Sequence, residues 1–168
     1  MYKVGDYIVY SKRGVCKILE IGPVEDSGMD DEFYTIEPVF DRGTIFVPLG
    51  MTDQLRPVMT ADEAMEVIMH IPDVPIRDVN LHRPYDIKNA LASKISSINL
   101  DDLIEVLKII NRKRINAEST GKQLSTTDLN YLGQAEKLFY GELAIALGMD
   151  IGEVHEFVIE KTGGHHDI

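Results

Sequence analysis

The hydrophobic pattern changes its period once, close to residue 60, and that change limits the fold more than any other feature of the chain. Before it, short runs rich in β-branched and aromatic residues alternate with turn signals. Residues 6–10 (DYIVY) precede Arg13-Gly14, residues 15–21 (VCKILEI) precede Gly22-Pro23, and residues 33–39 and 44–47 flank Asp41-Arg42-Gly43. Four or five short strands within sixty residues predict a small barrel that buries one face of each strand. Pro38, inside its run, predicts an edge or a strand end, because proline has no N–H to give the ladder. After residue 60 the apolar residues recur at helical spacing. Thr60 with Glu63 forms a capping box for a first helix, and Pro72, Pro75 and Pro84 make residues 71–83 a linker. A helix over 85–96 places Ile87, Leu91 and Ile95 on one stripe; Asn99 caps another over 100–117. Ser125 opens the next helix and Gly148 stops it, and Asp150 with Glu153 starts the last.

The fold class is therefore α+β, an N-terminal small β-barrel followed by a C-terminal all-α helical domain. With 168 residues the chain accommodates two small domains. The expected division is a β domain over 1–60, a connecting helix and proline-bearing linker over 61–84, a helical domain over 85–162, and a frayed tail over 163–168.

Charge is distributed unevenly. The formal net charge is −11, which disfavours nucleic acid, because affinity there rests on Lys and Arg neutralising phosphates. By segment, however, residues 1–60 carry −4, 61–75 carry −4, 76–122 carry +3 and 123–168 carry −6. The positive stretch holds Lys108, Arg112, Lys113 and Arg114 in one helix, with Lys122 nearby. Such a run is a solvated face unless something else gives it a partner.

Enzymatic signatures are missing: no phosphate-binding glycine loop, no G-x-S-x-G and no H-E-x-x-H. Cys16 lies in a strand pattern without a neighbouring His and reads as an inert buried thiol in a reducing compartment. Adjacent His165 and His166 read as solvated, and Asp30, Asp31 and Glu32 lack the spaced ligands of a calcium loop. Neither a catalyst, a small-molecule substrate, a metal nor a cofactor is expected. No apolar run approaches the ~20 residues that span a bilayer, and residues 1–10 lack the apolar stretch of a signal peptide. The expected location is the cytoplasm.

Several short motifs occur in one order. Residues 4–18 (VGDYIVYSKRGVCKI), Phe46-Val47-Pro48, Leu55-Arg56-Pro57-Val58, Arg83 and Tyr85, Leu124-Ser125 and Gly141-Glu142-Leu143-Ala144 together resemble the CarD/CdnL family of bacterial transcription regulators. The resemblance spans about residues 2–147. It implies a Tudor/SH3-like barrel, shared with transcription-repair coupling factor, that binds the β subunit of RNA polymerase. It also implies a helical domain that contacts promoter DNA at the upstream edge of the melted bubble and stabilises the open complex, with no bond made or broken. Carried onto this chain, the polymerase contact falls on Arg42, Thr44, Ile45 and Phe46, an edge suited to β-augmentation. The DNA contact falls on Leu81, Arg83, Lys88, Arg112, Lys113, Arg114 and Lys122, in a protein expected to be monomeric.

Three departures stand out. Phe46 replaces an Arg that some members place before Val-Pro, and Leu81 replaces a Trp wedge. Leu can still wedge into a minor groove but offers no aromatic face for base stacking, worth ~1–3 kcal/mol. Asp128, Leu129 and Asn130 stand where basic residues would strengthen DNA contact. A scaffold on polymerase with no DNA role is therefore the alternative function.

Overall fold

The computed structural model describes residues 1–11, 13–24, 31–77, 83–97, 99–164 and 168. Five strands, β1 (Tyr7–Tyr10), β2 (Gly14–Pro23), β3 (Glu32–Pro38), β4 (Ile45–Pro48) and β5 (Leu55–Pro57), form one antiparallel sheet in the order β4-β3-β2-β1-β5. The long β2 pairs with β1 through its first half and with β3 along its length, and a register shift between Ile18 and Glu20 marks a bulge. A bulge bends a strand and raises its twist, which lets a short sheet curl over its own core. That core is Ile8, Cys16, Ile18, Tyr34, Ile36, Val47 and Leu55, contributed by all five strands. Pro38 ends β3, an interior strand, so the proline marks a strand end.

Cys16 has no exposed surface, and burial pushes its thiol up to about 12. Only the thiolate is a nucleophile, so a thiol-specific reagent at pH 8 should label the native protein negligibly. Denaturation should expose one reactive thiol; rapid native labelling would contradict this placement.

Five α-helices follow: α1 (Ala61–His70), α2 (Pro84–Ser96), α3 (Leu100–Ser119), α4 (Thr126–Leu147) and α5 (Ile151–Lys161). Their ends are set by local chemistry. Thr60 accepts the Glu63 N–H while the Glu63 carboxylate accepts the Thr60 N–H, closing the predicted capping box. Asn99, Ser125 and Asp150 cap α3, α4 and α5. Gly148, at φ +65°, supplies the left-handed residue that ends α4. The helices share a second core in which α3 is central, with Ile104, Val106, Ile109 and Ile110 fully buried. Where the sequence suggests a frayed end, Ile168 packs back on this core, its carbonyl 3.0 Å from His155 Nε2. No helix among the described residues is long and apolar enough to cross a membrane.

Candidate functional site

The sheet presents β4 as an unshared edge: among the described residues it pairs only with β3. Its register decides which backbone groups remain available. Phe33 faces Pro48, Tyr34 faces Val47, Thr35 faces Phe46 and Ile36 faces Ile45, and the Leu49 N–H donates to the Glu32 carbonyl at 3.0 Å. Bonded and non-bonded pairs alternate in an antiparallel ladder. The Leu49–Glu32 bond therefore makes Val47 and Ile45 inward-bonding, so that the N–H and C=O of Phe46 point away from β3. Pro48 shares that outward register, where its missing N–H costs the sheet nothing. Side chains follow the pleat: Val47 is buried and Ile45 half-buried, whereas Phe46 is 49% exposed. Thr44 and Arg42 are exposed in the connection before the strand, where Gly43 takes φ +113°. Of the four residues expected at the polymerase contact, Phe46 presents its backbone at the open edge, Ile45 bonds inward to β3, and Arg42 and Thr44 lie in the connection that leads into the strand.

A second feature joins the sheet to the helices. Glu142 of α4 is 1% exposed and receives both guanidinium nitrogens of Arg56 of β5, at 2.5 and 2.6 Å. Its Oε1 also accepts the Met59 N–H at 3.1 Å. One residue earlier, Gly141 lies under the Phe40 ring, so close that a Cβ there would sit 2.8 Å from Phe40 Cδ2. Gly14, at the start of β2, is packed less tightly against α4, where a Cβ would sit 3.3 Å from Leu138 Cδ2. At the rim of this junction Asp41 lies 3.3 Å from Arg13 and 4.0 Å from Lys137 of α4. The Arg42 N–H, then Lys137 and Arg13, hold the Asp41 carboxyl below the usual carboxylate range. Two motifs that sequence reasoning used only as family markers, Leu-Arg-Pro and Gly-Glu-Leu-Ala, therefore meet in space and clamp β5 to α4.

The candidate DNA-contacting residues are less concentrated. Arg83 stands at the N-cap position of α2 without a side-chain capping bond, and Arg83, Lys88, Arg112, Arg114 and Lys122 are exposed. Arg112, Lys113 and Arg114 are consecutive, and an α-helix turns about 100° per residue, so they face three directions. Lys113 and Lys88 share a groove of about 230 Å³ beside the start of α4. There Lys113 Nζ lies 2.5 Å from Asp128, which is also bonded by the Ser125 hydroxyl. Arg114 opens onto a different groove with Glu136, Tyr140 and His155, and donates to Asn111. Burial of Glu136 in that groove holds its carboxyl above the usual range. Leu81 lies outside the described residues, as do His165 and His166. Tyr85, at 74% exposure beside Arg83, is a large exposed ring that sequence reasoning treated only as a motif position.

The curled antiparallel sheet, with β4 and β5 as its outer strands, is clamped to the helices through Arg56 and Glu142. Residues 2–59, about a third of the chain, match the family described as the CarD-like/TRCF RID domain. The N-terminal β domain is thus similar to that family, an RNA polymerase-interacting and transcription-related one, and the protein is α+β with a Tudor-like domain followed by helices. No curated protein matches the chain.

Proposed function

We propose that this protein regulates transcription by docking its N-terminal domain on the β subunit of RNA polymerase and stabilising the open promoter complex through its helical domain. The open β4 edge carries the first half. Phe46 directs one donor and one acceptor outward, and a partner strand would satisfy both by β-augmentation, with Arg42, Thr44 and Ile45 flanking it. Phe46→Pro removes the outward N–H while leaving every bond to β3 intact. Capture of purified β subunit should fall about tenfold, since a lost partner leaves a carbonyl unsatisfied at roughly 1–3 kcal/mol. Phe46→Ala separates the ring from the N–H and should bind better than Phe46→Pro. Equal capture by wild type and Phe46→Pro would sink the edge model.

The DNA half rests on the positive stretch, with Arg83, Lys88, Arg112 and Lys122 on the surface beside Arg114 and Lys113. Leu81 is proposed as an apolar wedge, and Tyr85 stands beside Arg83 with a ring able to stack. A chain of net charge −11 should bind bare duplex barely at all, and would reach a promoter only where polymerase brings it. The proposed state is a cytoplasmic monomer in which the β domain (1–60) is joined by the connecting helix and linker (61–84) to the helical domain (85–162).

The Lys113–Asp128 pair favours the second reading, a scaffold on polymerase without a DNA role, because it neutralises one of the few cations. Open-promoter lifetime with purified polymerase separates the two. Leu81→Ala and Arg112→Ala/Arg114→Ala should both shorten it; if neither does while β-subunit capture persists, the scaffold reading holds.

A further inference from the structure

The linker that enters the helical part is held by charges that packing alone does not require. Glu105, in the middle of α3, has no exposed surface. Its Oε1 accepts the main-chain N–H of Arg77 at 2.5 Å, and its Oε2 lies 2.7 Å from Lys94 Nζ and 3.3 Å from Arg77 Nη2. Lys94 belongs to the last turn of α2. One carboxylate thus ties the linker at Arg77 to the far end of the helix that follows it. Lys108, one turn further along α3 and 4% exposed, donates to the Val74 carbonyl at 2.7 Å and reaches that of Pro72 at 3.5 Å. Asp102 completes the arrangement, accepting from the Ser97 hydroxyl at 2.6 Å and from Arg77 Nη2 at 3.4 Å.

Buried ion networks are a poor source of stability. Replacing a buried pair by apolar residues of similar volume is often neutral or stabilising, because desolvation offsets the attraction. What this network does supply is register, since the Arg77 N–H and the Lys94 ammonium must both meet the same carboxylate. We propose that Glu105 is a positioning residue for the promoter-contacting surface. It fixes where the linker at Arg77 lies against α3 and how α2, which carries Lys88 and starts just after Arg83, is seated. This rests on the DNA-contact reading given above.

The test compares the full-length Glu105→Met/Lys94→Met variant with Glu105→Gln, which keeps a carbonyl oxygen for the Arg77 N–H. The apolar pair should melt near wild type and capture β subunit as well as wild type. Its Arg77 amide should exchange faster with solvent. The lifetime of the open promoter complex should shorten about three- to tenfold, the size of effect expected of a residue that touches neither partner but biases a coupled site. Glu105→Gln should retain most of that lifetime. Three results overturn the proposal, and they are distinguishable. If the apolar pair leaves the lifetime unchanged while Arg83→Ala/Lys88→Ala shortens it, DNA contact stands and positioning fails. If Arg83→Ala/Lys88→Ala also leaves it unchanged, the DNA reading fails and positioning falls with it. If both Glu105 variants lose lifetime in proportion to lost melting temperature, the network is merely structural.

Discussion

Glu142→Ala should destabilise the protein by about 3–4 kcal/mol, among the largest effects available to a single substitution here. The carboxylate is 1% exposed and receives three N–H groups, two from Arg56 and one from Met59. Its removal leaves a partly buried guanidinium and a backbone donor without their acceptor, and each orphaned donor costs more than the bond itself contributed. A third of the Arg56 side chain remains in water, so the loss falls toward the lower end of the range for broken buried pairs. For a chain of this length the melting temperature should drop by about 10 °C. Glu142→Gln keeps an oxygen for the Met59 N–H and one bond to Arg56, and should lose markedly less. Denaturant unfolding followed by circular dichroism and by tyrosine fluorescence measures both effects. A loss below about 1 kcal/mol for Glu142→Ala would mean that the clamp is solvated and contributes as little as a surface pair.

The helical part was legible because its signals are local. The Thr60–Glu63 capping box, the caps at Asn99, Ser125 and Asp150, and Gly148 as a stop each act within one turn, and the helices begin and end beside them. The sheet was less so. β5 is three residues long and ends in proline, and its pairing with β1 joins Leu55 to Tyr10 across the whole β domain. A segment that short carries no period to detect. The sign of the charge on residues 76–122 was legible, but its direction was not. Contiguity in sequence suggests one cluster for Arg112, Lys113 and Arg114, whereas helical rotation turns them apart and sets Lys113 and Arg114 on different grooves. Asp128 was visible as a missing cation, yet its effect is stronger, because it pairs with Lys113. The clamp shows the limit most plainly. Arg56 and Glu142 were both prominent as motif residues, but they lie 86 positions apart. Only the packing of α4 against the sheet reveals that one exists to meet the other.

Gly141→Val should also be strongly destabilising, and here two physical effects have opposite signs. Glycine inside a helix costs up to about 1 kcal/mol relative to a good helix former, so propensity alone predicts a small gain from any replacement. Contact predicts the reverse. A Cβ at 141 would stand 2.8 Å from Phe40 Cδ2 and 3.1 Å from Cε2, and the two methyls of valine extend further. Phe40 is half-buried and packs against the helical core, so the ring must shift from that contact for the valine to fit. Overpacking of this kind costs about 1–3 kcal/mol, which exceeds the propensity gain. A double-mutant cycle decides the cause: in a Phe40→Ala background the valine should cost at least about 1 kcal/mol less than in the wild type. Additive losses would show that the ring is not what Gly141 accommodates. The cycle also bears on function, because 141 and 142 join the sheet to α4 through shape at one position and charge at the next. If the β4 edge and the promoter-contacting helices act as one body, Gly141→Val should leave capture of β subunit intact and shorten the life of the open promoter. If the two halves act independently, both should survive the substitution at temperatures below the melt.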